Sequence, residues 1–195
     1  PVPGRVKTRL ASALGPAAAA RLYRRLGRRI VDQLRGGAYR AVVCYAPRDA
    51  GEAVREWLGE EGLEFRPQAE GDLGRRMAEA FDWALGEARR ACVVGTDAPD
   101  VDRETVERAF GALEGTDVVV GPAPDGGYYL LALDAPAPEL FRHMPWSTDR
   151  VLELTRERAR ESGLRVRLLD ERADVDTPDD LNPELRAALR DPPPS

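Results

Sequence analysis

The chain of 195 residues is predicted to be an α/β protein, a three-layer α/β/α domain around a mostly parallel mixed sheet. Three observations predict it. Tyr39–Ala46, Ala91–Gly95, Asp117–Gly121 and Tyr128–Leu133 are apolar runs without polar alternation, the pattern of strands covered on both faces. The segments between them repeat apolar residues every four positions, which marks amphipathic helices. Strands and helices alternate along the chain, which puts helices on both faces of a sheet and ligands beyond the carboxyl ends of its strands.

From Ala17 to Leu34, Leu22, Leu26, Ile30 and Leu34 recur with arginines between them, so the first helix lies here and ends at Gly36 and Gly37. Strand Tyr39–Ala46 is closed by Pro47, Asp49 and Gly51, and a short helix follows through Val54, Trp57 and Leu58. Leu63–Pro67 predicts a short strand, and Leu73, Met77, Phe81 and Leu85 mark the next helix. After strand Ala91–Gly95, Asp102 is placed to N-cap a helix through Val106, Ala109, Phe110 and Leu113. Strands Asp117–Gly121 and Tyr128–Leu133, a polar helix Thr148–Ser162, strand Val166–Leu169 and a helix Pro178–Leu189 complete the order. Residues 1–190 are expected to form one domain and 191–195 a loose tail. A fold of this kind opens with a buried strand, whereas this chain enters at a Pro and Gly loop. The first N-terminal strand is therefore expected to be lacking, in a sequence truncated at that end.

The 29 basic and 34 acidic residues give a net charge of -5, with no broad basic field to attract nucleic acid or anionic lipid. No run reaches the roughly 18 apolar residues of a membrane helix, and Pro1–Leu10 lacks a signal-peptide core. A cytoplasmic protein is expected. Cys44 and Cys92 lie in apolar strand patterns and are expected to be small core hydrophobes, not a bridge or a zinc site. His143, the one histidine, is expected at the surface or in packing.

Lys7 is the sole lysine, and it directs attention to Gly4, Arg5, Lys7, Thr8 and Arg9, a cationic loop just before a helix. There, backbone amides, the positive helix end and side-chain charge can hold phosphates, although a solvated basic terminus would have the same composition. The glycine spacing of a P-loop is absent. Asp97, in Gly95-Thr96-Asp97-Ala98-Pro99-Asp100, follows a strand at its carboxyl end, and Asp102 is better placed to cap the next helix. Asp174-Val175-Asp176-Thr177-Pro178-Asp179-Asp180 packs four carboxylates into one short segment. Thr177 suits an N-cap, Pro178 a first helical position, and Asp179 with Asp180 the helix dipole, which leaves Asp174 and Asp176 over. Residues two apart in extended backbone point the same way, so these two can share one Mg²⁺ or Mn²⁺ with Asp97. Gly126 and Gly127 suit a tight hairpin turn and also let a substrate approach the backbone. Glu70-Gly71-Asp72-Leu73-Gly74 reads partly as a helix start and partly as a nucleotide contact.

Taken together, Pro1-Val2-Pro3-Gly4-Arg5-Val6-Lys7-Thr8-Arg9-Leu10, the Glu70, Gly95 and Asp174 segments, and Gly121-Pro122-Ala123-Pro124-Asp125-Gly126-Gly127-Tyr128 resemble, in order, the DUF2064 group of GT-A-fold transferases. Members are described as glycosyltransferases associated with radical SAM and arsenosugar pathways, and are similar to molybdenum-cofactor and phospholactate guanylyltransferases. The resemblance implies a GT-A, Rossmann-like domain in which Lys7 and Arg9 contact the nucleotide phosphates. It further implies that Asp97, Asp174 and Asp176 hold the divalent metal and that Asp125, Gly126, Gly127 and Tyr128 face the acceptor. In the family, a first strand precedes the Pro-Gly loop and forms part of the base pocket.

The leading expectation is a metal-dependent glycosyltransferase with a nucleotide-sugar donor, Lys7 and Asp97 being catalytic and Lys7 with the metal stabilising the leaving diphosphate. Gly4, Arg5, Thr8, Arg9, Glu70, Gly71 and Asp72 would bind the nucleotide, and a small molecule would be the acceptor. The alternative is a nucleotidyltransferase, guanylyltransferase-like, that moves a nucleoside monophosphate from a nucleoside triphosphate to a phosphorylated small molecule. A further alternative is a non-catalytic nucleotide-binding domain.

Overall fold

Gly15, at φ +84°, ends a short helix that the periodicity does not reveal, and Pro16 opens the next one in its first turn, where its missing N–H costs nothing. The computed structural model describes residues 1–4, 6–177, 180, 181, 183 and 185. Its elements run α1 (Thr8–Leu14), α2 (Pro16–Leu34), β1 (Val42–Tyr45), α3 (Gly51–Leu58), β2 (Glu64–Pro67), α4 (Leu73–Glu87) and β3 (Ala91–Val94). They continue with α5 (Arg103–Ala112), β4 (Val118–Pro122), β5 (Tyr128–Leu133), α6 (Val151–Glu161) and β6 (Val166–Leu168). Arg5, the expected helix Pro178–Leu189 for the most part, and the tail lie outside the described residues.

The expected α/β architecture is present. Asp102 caps α5 by accepting from the Thr105 amide at 2.9 Å, and Asp72 caps α4 by accepting from the Arg75 amide at 2.8 Å. Along β4 and β5 the side chains divide between two cores, as alternation in a strand requires. Val118, Val120, Leu131 and Leu133 pack with Met77 and Phe81 of α4 and Ala159 of α6 on one face. Val119, Leu130 and Ala132 pack with Val106 and Ala109 of α5 on the other. A third cluster joins Leu10 of α1 and Ala19, Leu22 and Leu26 of α2 to Val175, Leu181 and Leu185.

The strands divide into two sheets, β1-β2 and β3-β5-β4-β6. β1 and β2 are parallel, as are β4 and β6, but β5 is antiparallel to both its neighbours. Loop 123–127 is too short for a crossover and turns β4 directly into β5, so this pair must be antiparallel. The sheet is mixed to a greater degree than the apolar runs suggested. Among the described residues no ladder joins β1 to β3, and both strands line one cavity of about 1420 Å³. The structure corrects the expectation for Cys44, which is exposed on a strand that pairs only with β2 among the described residues. Cys92 on β3 is half-buried, and burial pushes its thiol up to about 12.

At the far edge, Asp117 and Arg165 pin β6 against β4. The Arg165 amide and guanidinium donate to the Asp117 carboxylate at 2.7 to 3.0 Å, and the Asp117 amide donates to the Arg165 carbonyl at 3.1 Å. The Arg165 side chain, and then its amide, hold the Asp117 carboxyl down at about 2, below its ordinary 3.8. A pKa depressed by folding contributes stability that is fully present above the unfolded value and lost as pH falls through the folded one. Thermal melts from pH 5 down to about pH 2 should therefore show a fall in Tm near the low end that Asp117→Asn makes shallower. Equal slopes for the two proteins would leave this pair without a part in acid unfolding.

Among the described residues no helix is long and apolar enough to cross a membrane.

Candidate active site

Asp97, Asp174 and Asp176 each present a carboxylate oxygen such that the three lie within 4.8 Å of one another. Two strand ends deliver them. β3 ends at Val94, Gly95 still donates to the Tyr129 carbonyl of β5 at 2.9 Å, and the chain then turns out of the sheet and carries Asp97 into the crevice. After β6 the chain continues along β4, with Leu169 donating to the Val120 carbonyl at 2.8 Å and Arg172 to that of Pro122 at 3.1 Å. The Val175 amide then reaches the Asp97 carbonyl at 2.9 Å and ties the two acidic loops together. Val175 is buried against Leu10, Leu22 and Leu26, so the flanking Asp174 and Asp176 are left to face the crevice. One apolar residue thus orients both carboxylates.

Lys7 enters the same cluster from the N-terminal loop. Its Nζ donates to Asp176 Oδ1 at 2.5 Å and to Asp97 Oδ2 at 3.0 Å, with only 6% of the side chain exposed. Burial alone would lower its pKa, but the charges of Asp97 and Asp176 and their hydrogen bonds outweigh it, and the net direction is upward. Lys7 is therefore an ammonium. Arg9 meets Asp176 Oδ2 at 3.4 Å from the rim, its side chain 63% exposed. The Asp174 carboxyl is pushed up by burial first and then by the charges of Asp125, Asp97 and Asp176. Four carboxylates thus act on one another, with Lys7 the one enclosed cation among the described residues.

The remaining expected site residues divide. Asp97, Asp125, Gly127, Tyr128 and Asp174 line the large cavity. Gly126 lies in the same hairpin loop and accepts the Leu152 amide at 2.8 Å, and Gly127 donates to Asp125 Oδ1 at 2.9 Å. The Tyr128 hydroxyl is engaged, donating to Met77 Sδ at 3.9 Å. Glu70, Gly71 and Asp72 are exposed, and Asp72 is engaged as a cap; Gln68, Ala69, Leu73 and Arg76 line the cavity in their place. Gly4 and Thr8 are exposed beside Lys7, and His143 is exposed.

A family model described as "Uncharacterized protein conserved in bacteria (DUF2064)" matches residues 30–148, more than half of the chain. The chain belongs to the DUF2064 family. This DUF2064 chain is 30% identical over 167 residues to a phosphoenolpyruvate guanylyltransferase from Chloroflexus aggregans (strain MD-66 / DSM 9485), which covers 84% of this chain and 81% of that protein. A crystal structure from Desulfovibrio desulfuricans G20, of a candidate nucleotide-diphospho-sugar transferase, superposes with a TM-score of 0.86 at 34% identity, over 96% of this chain and 89% of that one. A 4-diphosphocytidyl-2C-methyl-D-erythritol synthase from Anaerococcus prevotii DSM 20548 shares the fold alone, with a TM-score of 0.56 at 10% identity over 84% of each chain. The DUF2064 chain is thus a member of a nucleotidyl- and nucleotide-sugar-transferase-like family.

Two supports of this DUF2064 site had no distinct sequence signal. The Tyr23 hydroxyl of α2 is 2.9 Å from Thr96 Oγ1, next to Asp97; in the sequence Tyr23 is one more residue of an amphipathic helix. Asp180 Oδ2 accepts from the Asp176 amide at 3.0 Å, the Thr177 amide at 2.6 Å and Thr177 Oγ1 at 2.8 Å. The Asp180 carboxylate closes the loop that carries Asp174 and Asp176, and by accepting the Thr177 amide from three residues on it makes the return half of a capping box at Thr177.

Proposed function

We propose that the protein is a nucleotidyltransferase that moves a nucleoside monophosphate, guanylate first among the candidates, from a nucleoside triphosphate to the phosphate of a small acid. The observation that carries the reading is the cluster of three convergent carboxylates with an enclosed lysine at the carboxyl ends of the strands. The guanylyltransferase relative supports nucleotidyl over glycosyl transfer. The donor set fits a hard divalent cation. Burial and then the charges of Asp125, Asp97 and Asp176 push the Asp174 carboxyl up, and the three converging groups are carboxylates without His or Cys. Asp97, Asp174 and Asp176 would hold Mg²⁺ or Mn²⁺, which when bound would neutralise charge on the triphosphate.

In the reaction an acceptor phosphate oxygen attacks the α-phosphorus, and the bond to the bridging oxygen breaks. Pyrophosphate leaves with the electron pair. The acceptor phosphate is already an anion at neutral pH, so no base has to remove a proton from it. Lys7 and Arg9 supply fixed positive charge where the leaving pyrophosphate gains negative charge. The loop that carries Asp125 and Gly127 lines the cavity and would face the acceptor.

The test offers GTP, ATP, CTP and UTP, each with phosphoenolpyruvate and Mg²⁺ or EDTA, beside a set of nucleotide sugars, and reads pyrophosphate release and product mass. We expect pyrophosphate and a nucleotidylated acceptor from GTP, abolished by EDTA. Release of a nucleoside diphosphate from a sugar nucleotide, with no triphosphate consumed, would return the assignment to glycosyl transfer. Silence in all arms would favour a binding domain.

A further inference from the structure

Lys7 occupies the centre of the carboxylate cluster, and it is held there against its own backbone. It sits at φ 45°, ψ 55°, the left-handed region that a residue with a Cβ rarely adopts outside functional sites. Its ammonium uses one oxygen of Asp97 and one of Asp176, two of the three groups that would hold the cation. An ammonium and a divalent cation that draw on the same oxygens compete for them. Lys7 is the sole lysine of the chain, and among the described residues the other cation that meets this cluster, Arg9, is at the rim and 3.4 Å from Asp176.

We propose that Lys7 is an internal counter-ion that keeps the divalent cation out of the carboxylate cluster until a polyphosphate draws its ammonium away. The metal and the nucleotide then bind as a coupled pair. The inference rests on the nucleotidyl-transfer reading and gives it an order. Before the triphosphate arrives, Lys7 satisfies Asp97 and Asp176 and leaves little affinity for a free cation. The triphosphate offers the ammonium a set of anionic oxygens in exchange, and the carboxylates it leaves then face the cation that accompanies the phosphates. By linkage, each ligand strengthens the other by the same factor. The arrangement protects the acidic cluster from self-repulsion when no substrate is bound, and it disfavours a metal-loaded site without substrate.

The test measures Mn²⁺ binding to the full chain without nucleotide, through the loss of the free-ion electron paramagnetic resonance signal. We expect Lys7→Met to bind Mn²⁺ at least about tenfold tighter than the parent chain, within the usual range of coupling between two ligands. Lys7→Gln should do the same, and serves where Met disturbs the fold as judged by circular dichroism. Lys7→Arg keeps the charge and should leave Mn²⁺ binding as weak as in the parent. Parent and Lys7→Met chains that bind Mn²⁺ with equal affinity, or a variant that binds more weakly, would overturn the counter-ion role and leave the metal site standing. If neither chain takes up Mn²⁺, and GTP is consumed without any metal requirement, the metal reading itself fails and this inference with it.

Discussion

If the protein transfers nucleotidyl groups as proposed, Asp97→Asn should lower the rate of pyrophosphate release by at least about 100-fold, or roughly 2.7 kcal/mol of barrier. Asp97 is where the strand end, the lysine and the second acidic loop meet, and its side chain is the partner of Lys7 at 3.0 Å. The amide replaces a full negative charge with a dipole and weakens both the hold on Lys7 and any hold on a divalent cation. The fold should survive, because the Asp97 bond to Val175 uses the backbone carbonyl, which the substitution keeps. Far-UV circular dichroism and Tm should therefore match the parent while turnover is lost. Unchanged turnover with unchanged metal dependence would remove Asp97 from the chemistry.

Gly126→Ala destabilises the protein by about 2–4 kcal/mol, the sum of a left-handed backbone conformation and an overpacked contact. Gly126 stands at φ +83°, and a Cβ there would overlap the backbone carbonyl of Asp149. Backbone cannot rotate away as a side chain can, so the start of α6 has to move, and the bond from the Leu152 amide to the Gly126 carbonyl lengthens or breaks. Tm should fall by roughly 5–15 °C. The loop that carries Asp125 is displaced with it, so on the proposed function KM for the acceptor should rise more than KM for the triphosphate. Gly86→Ala is the control, since Gly86 lies in α4 with nothing within 4 Å of the added Cβ and gains helix propensity. A Gly126→Ala chain as stable as the control would show that the loop adapts at no cost.

Local chemistry determined much of this protein without reference to tertiary structure. Apolar runs and four-residue periodicity marked the strands β3, β4 and β5 and the helices α2, α4 and α5, because each element buries its own face and writes that face into the sequence. Asp102 announced itself as a cap because an N-cap needs only a side-chain oxygen three residues from an amide. The alternation Asp174-Val175-Asp176 already implied that both carboxylates point the same way.

Tertiary structure decided the rest, where residues far apart in sequence compete for the same partner. That β1 stands apart from β3 and that Cys44 is exposed depend on what lies beside each strand, and an apolar run carries no record of its neighbour. The cationic loop read as an anion cradle, yet Lys7 pairs across 90 residues with Asp97 and across 169 with Asp176. Coulomb energy depends on distance in space, and only the packing of Leu10 and Leu22 against Val175 brings that ammonium and those carboxylates to the same point.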